Sequence, residues 1–338
     1  MDKHVVIIGA GAAGMQCAAE TAQEGVRVTL IDREEHTGGH VRSWHRLFPT
    51  FKPASEVLAE LRDKVSKNAN VTVRTGCEAV GVGAGSVTLS TGEVLACDAV
   101  VIATGFTLFD AHVKEEYGYG IYDNVVTSAD LERMFGEGRV ALSDGSAPRR
   151  IAILHCVGSR DEKVCQRHCS KVCCVTAVKQ AIELKRMFPE AEVYNFYMDI
   201  RMFGPGYEEM YRDAQQQYNI NFVRGRISEV SPTIDNRLQI KAEDTLSGRP
   251  LKMSTDMLVL MAGMTPNRSN AAFASQTEGL RMQPSGFMEP RDPFVGNVMS
   301  GCDTIFYAGA VTAPKNVCES LNDGACAAHA VLRRIGVK

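Results

Sequence analysis

Short apolar runs rich in β-branched residues alternate along the chain with segments whose apolar residues recur at helical spacing. Runs of the first kind predict buried strands of a parallel sheet, and segments of the second kind predict the helices between them. The order strand, helix, strand occurs twice, at 4–9, 12–24 and 26–31 and again at 150–157, 171–187 and 192–198. The pattern therefore predicts an α/β protein with two Rossmann-like domains, each built on a parallel sheet.

Weaker patterns predict smaller elements around the two sheets. Further helices are predicted at 54–65, 128–135, 204–217 and 317–335, and further buried strands at 98–105, 256–261 and 304–309. Short strands separated by turn residues predict small antiparallel meanders, as near 71–75, 78–82, 86–90 and 94–96. Further strands are predicted near 220–224, 227–231, 237–242 and 251–254. We expect residues 1–106 and 262–338 to form the first domain and 107–261 the second, with 106–149 as a crossover.

The turn after the first strand has the sequence Gly9-Ala-Gly11-Ala-Ala-Gly14. In a G-x-G-x-x-G turn the first glycine allows the tight turn, the second lets the backbone approach a pyrophosphate, and the third lets helix and strand pack closely. The helix N-terminus adds unpaired N–H groups and the positive end of its dipole. Asp32, which ends the second strand, can accept a hydrogen bond from a ribose. These features favour dinucleotide binding over an empty Rossmann-like unit.

A second glycine pair, Gly38-Gly39, follows the second strand, and in many flavoproteins such a pair extends a site for FAD. The strand that ends in Ala-Thr104-Gly105 resembles the point at which flavoproteins with two dinucleotide domains leave the FAD domain. The predicted FAD-binding residues in this part of the chain are Gly9, Gly11, Ala12, Ala13, Gly14, Asp32, Arg33, Gly39, His40, Thr104 and Gly105. The aromatic residues at 44–51 either line the flavin or pack on their own domain.

The amino-acid composition indicates the class of protein but does not indicate which reaction it catalyses. The chain has 338 residues, 45% hydrophobic and 23% charged, with a net charge of −3, as expected of a globular protein with no nucleic-acid partner. No apolar run approaches the roughly 20 residues needed to span a bilayer, so we expect no membrane insertion. Because the first strand begins at His4, no signal peptide is expected, and the predicted location is cytoplasmic.

The second βαβ unit departs from the first at its turn. That turn reads Cys156-Val-Gly-Ser-Arg-Asp161, with a single glycine, so the fingerprint for a nicotinamide dinucleotide is absent. Five of the eleven cysteines lie between 156 and 174. A disulfide scaffold is not expected in a chain with this many core residues. The other six cysteines are expected to be small buried hydrophobes.

The grouped cysteines predict a metal or redox centre. Cys169 and Cys173 are four residues apart and would share a helix face, which Cys165 would extend by a turn. Cys156 ends the preceding strand, beside the same helix N-terminus, where the dipole favours thiolates. Three interpretations remain open: an iron–sulfur cluster, a zinc site without the usual paired C-x₂₋₄-C knuckles, and a redox disulfide without the usual C-x-x-C or C-x₄-C spacing.

The region around these cysteines resembles the A subunit of heterodisulfide reductase, on the residues Cys156-Val-Gly-Ser-Arg-Asp, Cys169-Ser-Lys-Val-Cys173-Cys174 and Ala177-Val-Lys-Gln-Ala181. The resemblance covers nearly the whole chain and implies a thioredoxin-reductase-like core that carries FAD. It also implies a [4Fe–4S] cluster held by a C-x₁₂-C-x₃-C-C set, which here is Cys156, Cys169, Cys173 and Cys174, with Cys165 outside it.

The family's larger members carry ferredoxin modules and a further cysteine group after a Phe-Pro pair, whereas Phe48-Pro49 here is followed by no such group. The chain in this respect resembles the compact form found in heterodisulfide-reductase-like complexes of sulfur-oxidising bacteria. The implied function is electron transfer between FAD and the cluster in a complex that acts on disulfide or sulfane sulfur, in a subunit not active alone. Implied partners are a second copy and the other subunits. The alternatives are a stand-alone NAD(P)H-dependent disulfide reductase and a zinc-stabilised scaffold subunit.

The last strand and the segment after it carry the remaining predicted site residues. Thioredoxin reductases usually place an acid after the Ala-Gly of this strand, but here Gly309 is followed by Ala310. The segment Ala-Pro-Lys315-Asn316 resembles the family's Gly-Pro-Lys segment. The resemblance adds Gly309, Ala310, Lys315 and Asn316 to the FAD site, with Lys315 as a catalytic residue whose charge stabilises reduced flavin. The alternative for Lys315 is a solvated loop lysine.

Overall fold

A computed structural model describes residues 3–337, which form two compact units. The first unit contains the described residues up to Arg42, Ala54–Thr107 and those from Thr265 onward. The second unit contains Ser43–Pro53 and Leu108–Met264. The sequence pattern assigns 43–53 to the first domain, but its aromatic side chains Phe48 and Phe51 pack against the core of the second unit.

The strands of the described residues are numbered in chain order. They are β1 (His4–Ile8), β2 (Arg27–Ile31), β3 (Arg46–Leu47), β4 (Lys52–Pro53), β5 (Val71–Arg74), β6 (Ala79–Gly83), β7 (Ser86–Leu89), β8 (Val94–Ala96), β9 (Ala99–Ile102), β10 (Phe106–Leu108), β11 (Val125–Thr127), β12 (Arg150–Val157), β13 (Glu192–Tyr197), β14 (Asn221–Arg224), β15 (Ile227–Pro232), β16 (Leu238–Asp244), β17 (Arg249–Thr255), β18 (Met257–Ala262), β19 (Met264–Pro266) and β20 (Ile305–Tyr307).

The helices are numbered in the same way. The α-helices are α1 (Ala12–Gln23), α2 (Ala54–Ser66), α3 (Ser128–Gly136), α4 (Cys173–Met187), α5 (Tyr207–Gln216), α6 (Ser269–Gln276) and α7 (Val317–Ile335). Short 3₁₀ helices occur at Gly39–Ser43, Ala111–Val113, Glu115–Tyr117, Glu162–Val164 and Gly309–Val311. No described helix is both long and apolar enough to cross a membrane.

The first unit is built on a parallel sheet with the strand order β20-β9-β1-β2-β5. The central strands β1 and β9 are almost entirely buried, which explains their continuous apolar runs. Helices α1 and α7 pack closely because Gly324 has no side chain: a methyl group there would lie 2.5 Å from the carbonyl oxygen of Ala13. The strand order confirms the predicted parallel sheet, and α7 has its predicted bounds.

The predicted meander in the first unit is confirmed for three of its four strands. Strands β6, β7 and β8 form an antiparallel sheet. The prediction was wrong for β5, which pairs in parallel with β2 and extends the main sheet. A four-residue strand carries too little pattern to show which sheet it joins. Helix α6, between the last two strands, was not predicted.

The second unit repeats the parallel architecture with the order β11-β18-β12-β13-β14. Strands β15, β16 and β17 form its antiparallel sheet. The segment 106–149 is more than a crossover with one helix, because Val125–Thr127 pairs with β18 as an edge strand. Thr127 then caps the N-terminus of α3 by forming a reciprocal capping box with Asp130.

Candidate functional site

The turn between β1 and α1 has the geometry that its three glycines predict. Gly9 has a φ of +107°, and a methyl group there would lie 2.4 Å from the carbonyl oxygen of Ala103. A methyl group at Gly14 would lie 1.8 Å from the carbonyl oxygen of Gly9. Both glycines are therefore required by protein packing alone, because a side chain at either position would collide with backbone.

Gly11 differs, because no packing requires it. It precedes α1 with extended backbone, and a methyl group there would approach only the Cα atom of Gly39, at 4.0 Å. Gly39 faces it with a φ of +52°. A methyl group at Gly39 would lie 3.2 Å from the Cα atom of Gly11, so the two glycines approach each other closely at the N-terminus of α1. Backbone without side chains at a helix N-terminus suits a phosphate.

Asp32 follows β2 and ties the glycine turn to this strand. Its carboxylate accepts hydrogen bonds from Ala10 N at 2.6 Å and from Glu34 N at 2.9 Å. Each carboxylate oxygen has a second lone pair, so the group retains acceptor capacity for a ribose hydroxyl. Arg33 is exposed, and its Nε lies 3.4 Å from a carboxylate oxygen of Glu34.

His40 and Thr104 lie in the same unit as the glycine turn. The Nε2 atom of His40 donates to the carbonyl oxygen of Phe106 at 3.0 Å, and the two rings stack at 4.2 Å. Burial lowers the pKa of His40. The hydroxyl of Thr104 is buried without a hydrogen-bond partner among the described residues. Gly105 has a φ of +65° and open space where a methyl group would stand.

The structure places Lys315 in an ion pair, not in solvent. Its ammonium group donates to Gly309 O at 3.1 Å and Thr312 Oγ1 at 2.8 Å, and it pairs with the carboxylate of Asp323. Lys315 thus holds the 3₁₀ turn that contains Gly309 and Ala310, and its three donors are used within the protein.

Asn316 has a structural partner of its own. Its side-chain oxygen accepts from Glu319 N at 2.8 Å, and the Glu319 carboxylate accepts from Asn316 N at 3.0 Å. This is a capping box that begins α7. The predicted flavin contact of Asn316 therefore has to use the atoms that the cap leaves available.

Three of the four predicted metal ligands meet in the second unit. Cys156 ends β12, and its sulfur lies 4.0 Å from the sulfur of Cys173, the first residue of α4. Cys173 also hydrogen-bonds to Cys174, and these contacts lower the pKa of Cys156 and of Cys174 while raising that of Cys173. All three side chains are buried.

The fourth predicted ligand, Cys169, lies outside the helix. The predicted helix at 171–187 begins at Cys173, so Cys169 and Cys165 do not share a helix face with it, and that prediction was wrong. Cys169 is half-buried, with its sulfur 3.3 Å from Lys171 N, whereas Cys165 is exposed. Among residues 3–337, no three His, Cys, Asp or Glu side chains are arranged to hold a metal ion.

Residues 158–172 form a long loop where a phosphate-binding unit would have a short turn. Asp161 organises this loop, because its buried carboxylate accepts from Lys114 at 2.9 Å and from Arg226 at 2.7 Å. Its backbone also pairs with that of Gln166. Left-handed backbone occurs at four non-glycine residues of this region, Cys156, Arg160, Cys165 and Lys171. The backbone around the thiols is thus held in conformations that ordinary loops avoid.

The six scattered cysteines do not all fit the predicted role of buried hydrophobes. Cys17 is buried, and burial raises its pKa to about 12. Cys77 is also buried, and Cys97 and Cys302 are half-buried. The prediction was wrong for Cys318 and Cys326, which are exposed on α7.

Two buried polar residues beside the thiols were missed in the sequence. His155 interrupts the apolar run of β12, and Asn195 lies between Tyr194 and Phe196 on β13. Their side chains are 2.9 Å apart, and the imidazole contributes to the lowered pKa of Cys174. A polar residue within a continuous apolar run was the available sign, since buried polar groups require partners.

The two α/β units have a thioredoxin-reductase-like fold. Thioredoxin reductase of T. acidophilum has a similar structure, with a TM-score of 0.69 at 18% identity over 98% of this chain and 99% of that one. Thioredoxin reductase of Lactococcus lactis has a TM-score of 0.70 at 18% identity over 99% of both chains. At this identity the similarity concerns the fold, and it confirms the predicted fold class.

Residues 3–153 match the family described as pyridine nucleotide-disulphide oxidoreductase, which supports an oxidoreductase. The iron-sulfur A subunit of the CoB–CoM heterodisulfide reductase of Methanocaldococcus jannaschii is 31% identical, over 98% of this chain and 64% of its own length. The A subunit of the H₂/formate:CoB–CoM heterodisulfide,ferredoxin reductase of Methanococcus maripaludis is 32% identical, with the same coverage. The chain is thus similar over nearly its whole length to the A subunits of heterodisulfide reductases, which agrees with the resemblance carried by the residues around its cysteines.

The chain spans 64% of the length of these two relatives. The aligned region of the Methanocaldococcus jannaschii protein, at 421 residues, is longer than the 338 residues of this chain. That relative therefore contains internal segments without a counterpart here.

Proposed function

We propose that this chain is the FAD- and iron–sulfur-carrying electron-transfer subunit of a heterodisulfide-reductase-like complex in the cytoplasm. The observation that carries the proposal is the contrast between the two βαβ units. In the first, β1 leads to α1 through a tight turn that is open at Gly11. In the second, β12 leads to α4 through a fixed loop flanked by buried thiols.

The first unit fits FAD. Gly11 and Gly39 present backbone without side chains at the N-terminus of α1, whose N–H groups suit a phosphate, and Asp32 has acceptor capacity for a ribose. Two further groups suit the flavin end of the site: the partnerless hydroxyl of Thr104 and the turn that carries Gly309. The family match and the fold support the same cofactor.

The second unit has the donor chemistry of an iron–sulfur site. Thiolates are the usual ligands of such clusters, and Cys156, Cys173 and Cys174 lie together at the end of a strand and the start of a helix. In the proposed set Cys169 completes the ligands from the loop. Bound FAD supplies two-electron chemistry and a [4Fe–4S] cluster passes electrons singly, so a subunit with both joins the two kinds of transfer.

The second unit offers little to a nicotinamide dinucleotide. The glycine of its turn, Gly158, has a φ of +68°, and the place of its missing side chain is filled by the ring of Phe109, 2.0 Å from where a methyl group would be. Gly158 is therefore required for packing against Phe109, and its missing side chain opens no space for a phosphate. This argues against a stand-alone NAD(P)H-dependent reductase.

The test is an anaerobic purification followed by flavin, iron and sulfide counts. We expect about one FAD and about four iron atoms per chain. Cys156→Ser should lower the iron content and the broad visible absorbance. Cys165→Ser is the matched control, because this thiol is in the same loop but exposed, and it should change neither.

Other results would contradict the proposal. Loss of iron in Cys165→Ser with retention in Cys156→Ser would show that the ligand set is wrong. A colourless zinc protein would favour the scaffold alternative, and a yellow, iron-free protein bleached rapidly by NADH or NADPH would favour the reductase.

We also propose a homodimer as the unit that joins other subunits to act on disulfide or sulfane sulfur. The homodimer is proposed by analogy with the thioredoxin-reductase-like class, which commonly dimerises. Partner subunits are supported by the chain's similarity to proteins named as subunits of heterodisulfide reductases. Light scattering at micromolar concentration should give twice the mass of the chain, and a monomer would contradict the proposal.

A further inference from the structure

The loop at 291–299 of the first unit presents an exposed apolar tip, formed by Phe294 and Val295. These two neighbours in the chain are 89% and 90% exposed. The turn below them is fixed, because one carboxylate oxygen of Asp292 accepts hydrogen bonds from both of their backbone N–H groups, each at 2.8 Å. The backbones of Asp292 and Gly296 also pair across the turn. Single exposed apolar residues are common, but two neighbours on a fixed turn favour contact with another protein surface.

A groove of about 330 Å³ lies at the base of this loop. Arg291 and Met299, the first and last residues of the loop, both line it. Further apolar lining comes from Ile305 and Phe306 of β20 and from Ala330 of α7. A cavity of about 150 Å³ can hold a benzene ring, so the groove has room for a phenyl ring and a second, smaller apolar side chain. The size and the apolar lining of the groove therefore match the tip.

The charges beside the groove and beside the tip are also complementary. Arg333 and Arg334, in the last turn of α7, line the groove together with Arg291. Asp303 already engages two of these cations, since Arg291 pairs with its carboxylate at 2.6 Å and Arg334 donates to its carbonyl oxygen at 3.1 Å. Arg333 is exposed at the rim. A second molecule with its tip in the groove would bring the carboxylate of its Asp292 toward this cationic rim.

We infer that the tip of one copy enters the groove of a second copy, and that this reciprocal contact forms the two-fold interface of the homodimer. The tip does not fill the groove of its own chain, because both of its side chains are exposed. In a two-fold dimer the same surface patch of both subunits meets itself, so a tip and a groove side by side are each used once per copy. An aromatic side chain buries about 150–250 Å², and the two-fold axis doubles this contribution. The inference rests on the proposed homodimer and names its interface.

The first test is Phe294→Asp, with the mass in solution measured by light scattering over a range of micromolar concentrations. We expect the dissociation constant of the dimer to rise more than about tenfold, as for the loss of a buried aromatic anchor. Leu246→Asp in the second unit is the matched control. Leu246 is 71% exposed, and Asp244 accepts from its backbone N–H at 3.0 Å, as Asp292 does from that of Phe294. This variant should remain a dimer.

The second test locates the tip on the other copy. Val295→Cys keeps Phe294 as the anchor and places a thiol on the tip, while Cys302 lines the groove. A short bifunctional maleimide should then link two copies into a covalent dimer, seen as a band of twice the chain mass on a denaturing gel. This band should be lost when Val295→Cys is combined with Cys302→Ser.

Contrary results distinguish the inference from the proposal on which it rests. A monomeric wild-type protein overturns the proposed homodimer and this inference with it. A dimeric wild-type protein whose Phe294→Asp variant is folded and equally dimeric overturns the inference alone. Assemblies larger than a dimer would show that tip and groove join in a chain without two-fold closure, which also overturns it. A cross-linked band that persists without Cys302 would show that the tip lies outside the groove.

Discussion

At the residue scale, the three glycines of the first turn have different reasons to be glycine. Gly9 and Gly14 are required by backbone atoms of the protein itself, which would lie 2.4 and 1.8 Å from a methyl group added at each position. Gly11 has no protein atom nearer than 4.0 Å to such a methyl group, and its φ of −76° suits any residue. Packing of the protein does not require its missing side chain, which supports the proposed role of Gly11 in the FAD site.

This difference predicts the effect of Gly11→Val. The variant should fold with an unchanged melting temperature but purify without FAD, because its side chain enters the space for the pyrophosphate. Flavin absorbance per chain and a thermal melt of flavin-free protein check this. Gly14→Ala is the contrast, since it should lose thermal stability and FAD together. A folded Gly11→Val protein with full flavin would refute the assignment of the turn.

At the element scale, α3 and α4 are joined by a buried charge cluster. Lys179 on α4 pairs with Glu132 on α3 and, at 2.8 Å, with Glu183 one turn along its own helix. Glu132 also accepts from His45 N, and Glu183 accepts from the His45 ring, both at 2.9 Å. The cluster thus fixes Ser43–Pro53 to the second unit. This explains why the segment belongs to the second unit although the residues on both sides of it in the chain belong to the first.

Lys179→Met should therefore destabilise the protein strongly. Two buried carboxylates would lose their cation, which costs about 3–5 kcal/mol of the free energy of unfolding. This loss can be measured by unfolding the protein in urea and monitoring the second unit through the fluorescence of Trp44 in the attached segment. The control is Arg133→Met on α3 of the same unit, whose exposed pair with Glu137 should contribute less than about 0.5 kcal/mol. A loss below about 1 kcal/mol for Lys179→Met would show that the cluster is not the anchor.

At the scale of the whole molecule, each unit has a hydrophobic core of its own. In the first, apolar residues of β1, β9 and β20 pack against the β6–β8 sheet. In the second, residues of β12, β18 and α4 pack together in a buried hydrophobic cluster. Since every proposed FAD contact lies in the first unit, bound FAD should stabilise that unit alone.

The single tryptophan makes this testable, because Trp44 belongs to the second unit. FAD at about one hundred times its dissociation constant should add about 2.7 kcal/mol to the first unit and raise its transition by about 5–10 °C. Circular dichroism should show this shift, while the transition seen by Trp44 fluorescence stays unchanged. If the Trp44 transition instead shifted together with the circular-dichroism transition of the first unit, the two units would unfold cooperatively as one.

The sequence by itself determined the features that depend on neighbouring residues. The parallel strands were predicted from continuous apolar runs, the glycine turn from its spacing, and α7 from its helical pattern, with the bounds that the structure has. Each of these is a local pattern, in which residues a few positions apart specify one conformation.

Only the tertiary structure decided the features that depend on distant residues. Asp161 holds the cysteine loop through Lys114 and Arg226, so Cys169 lies in a loop and not on a helix face. Edge strands β5 and β11 are defined by their partners, since a run of three or four residues carries no sign of its sheet. Lys315 is an ion pair with Asp323 and not a solvated lysine. In each case the deciding interaction is made by a partner that local periodicity does not encode.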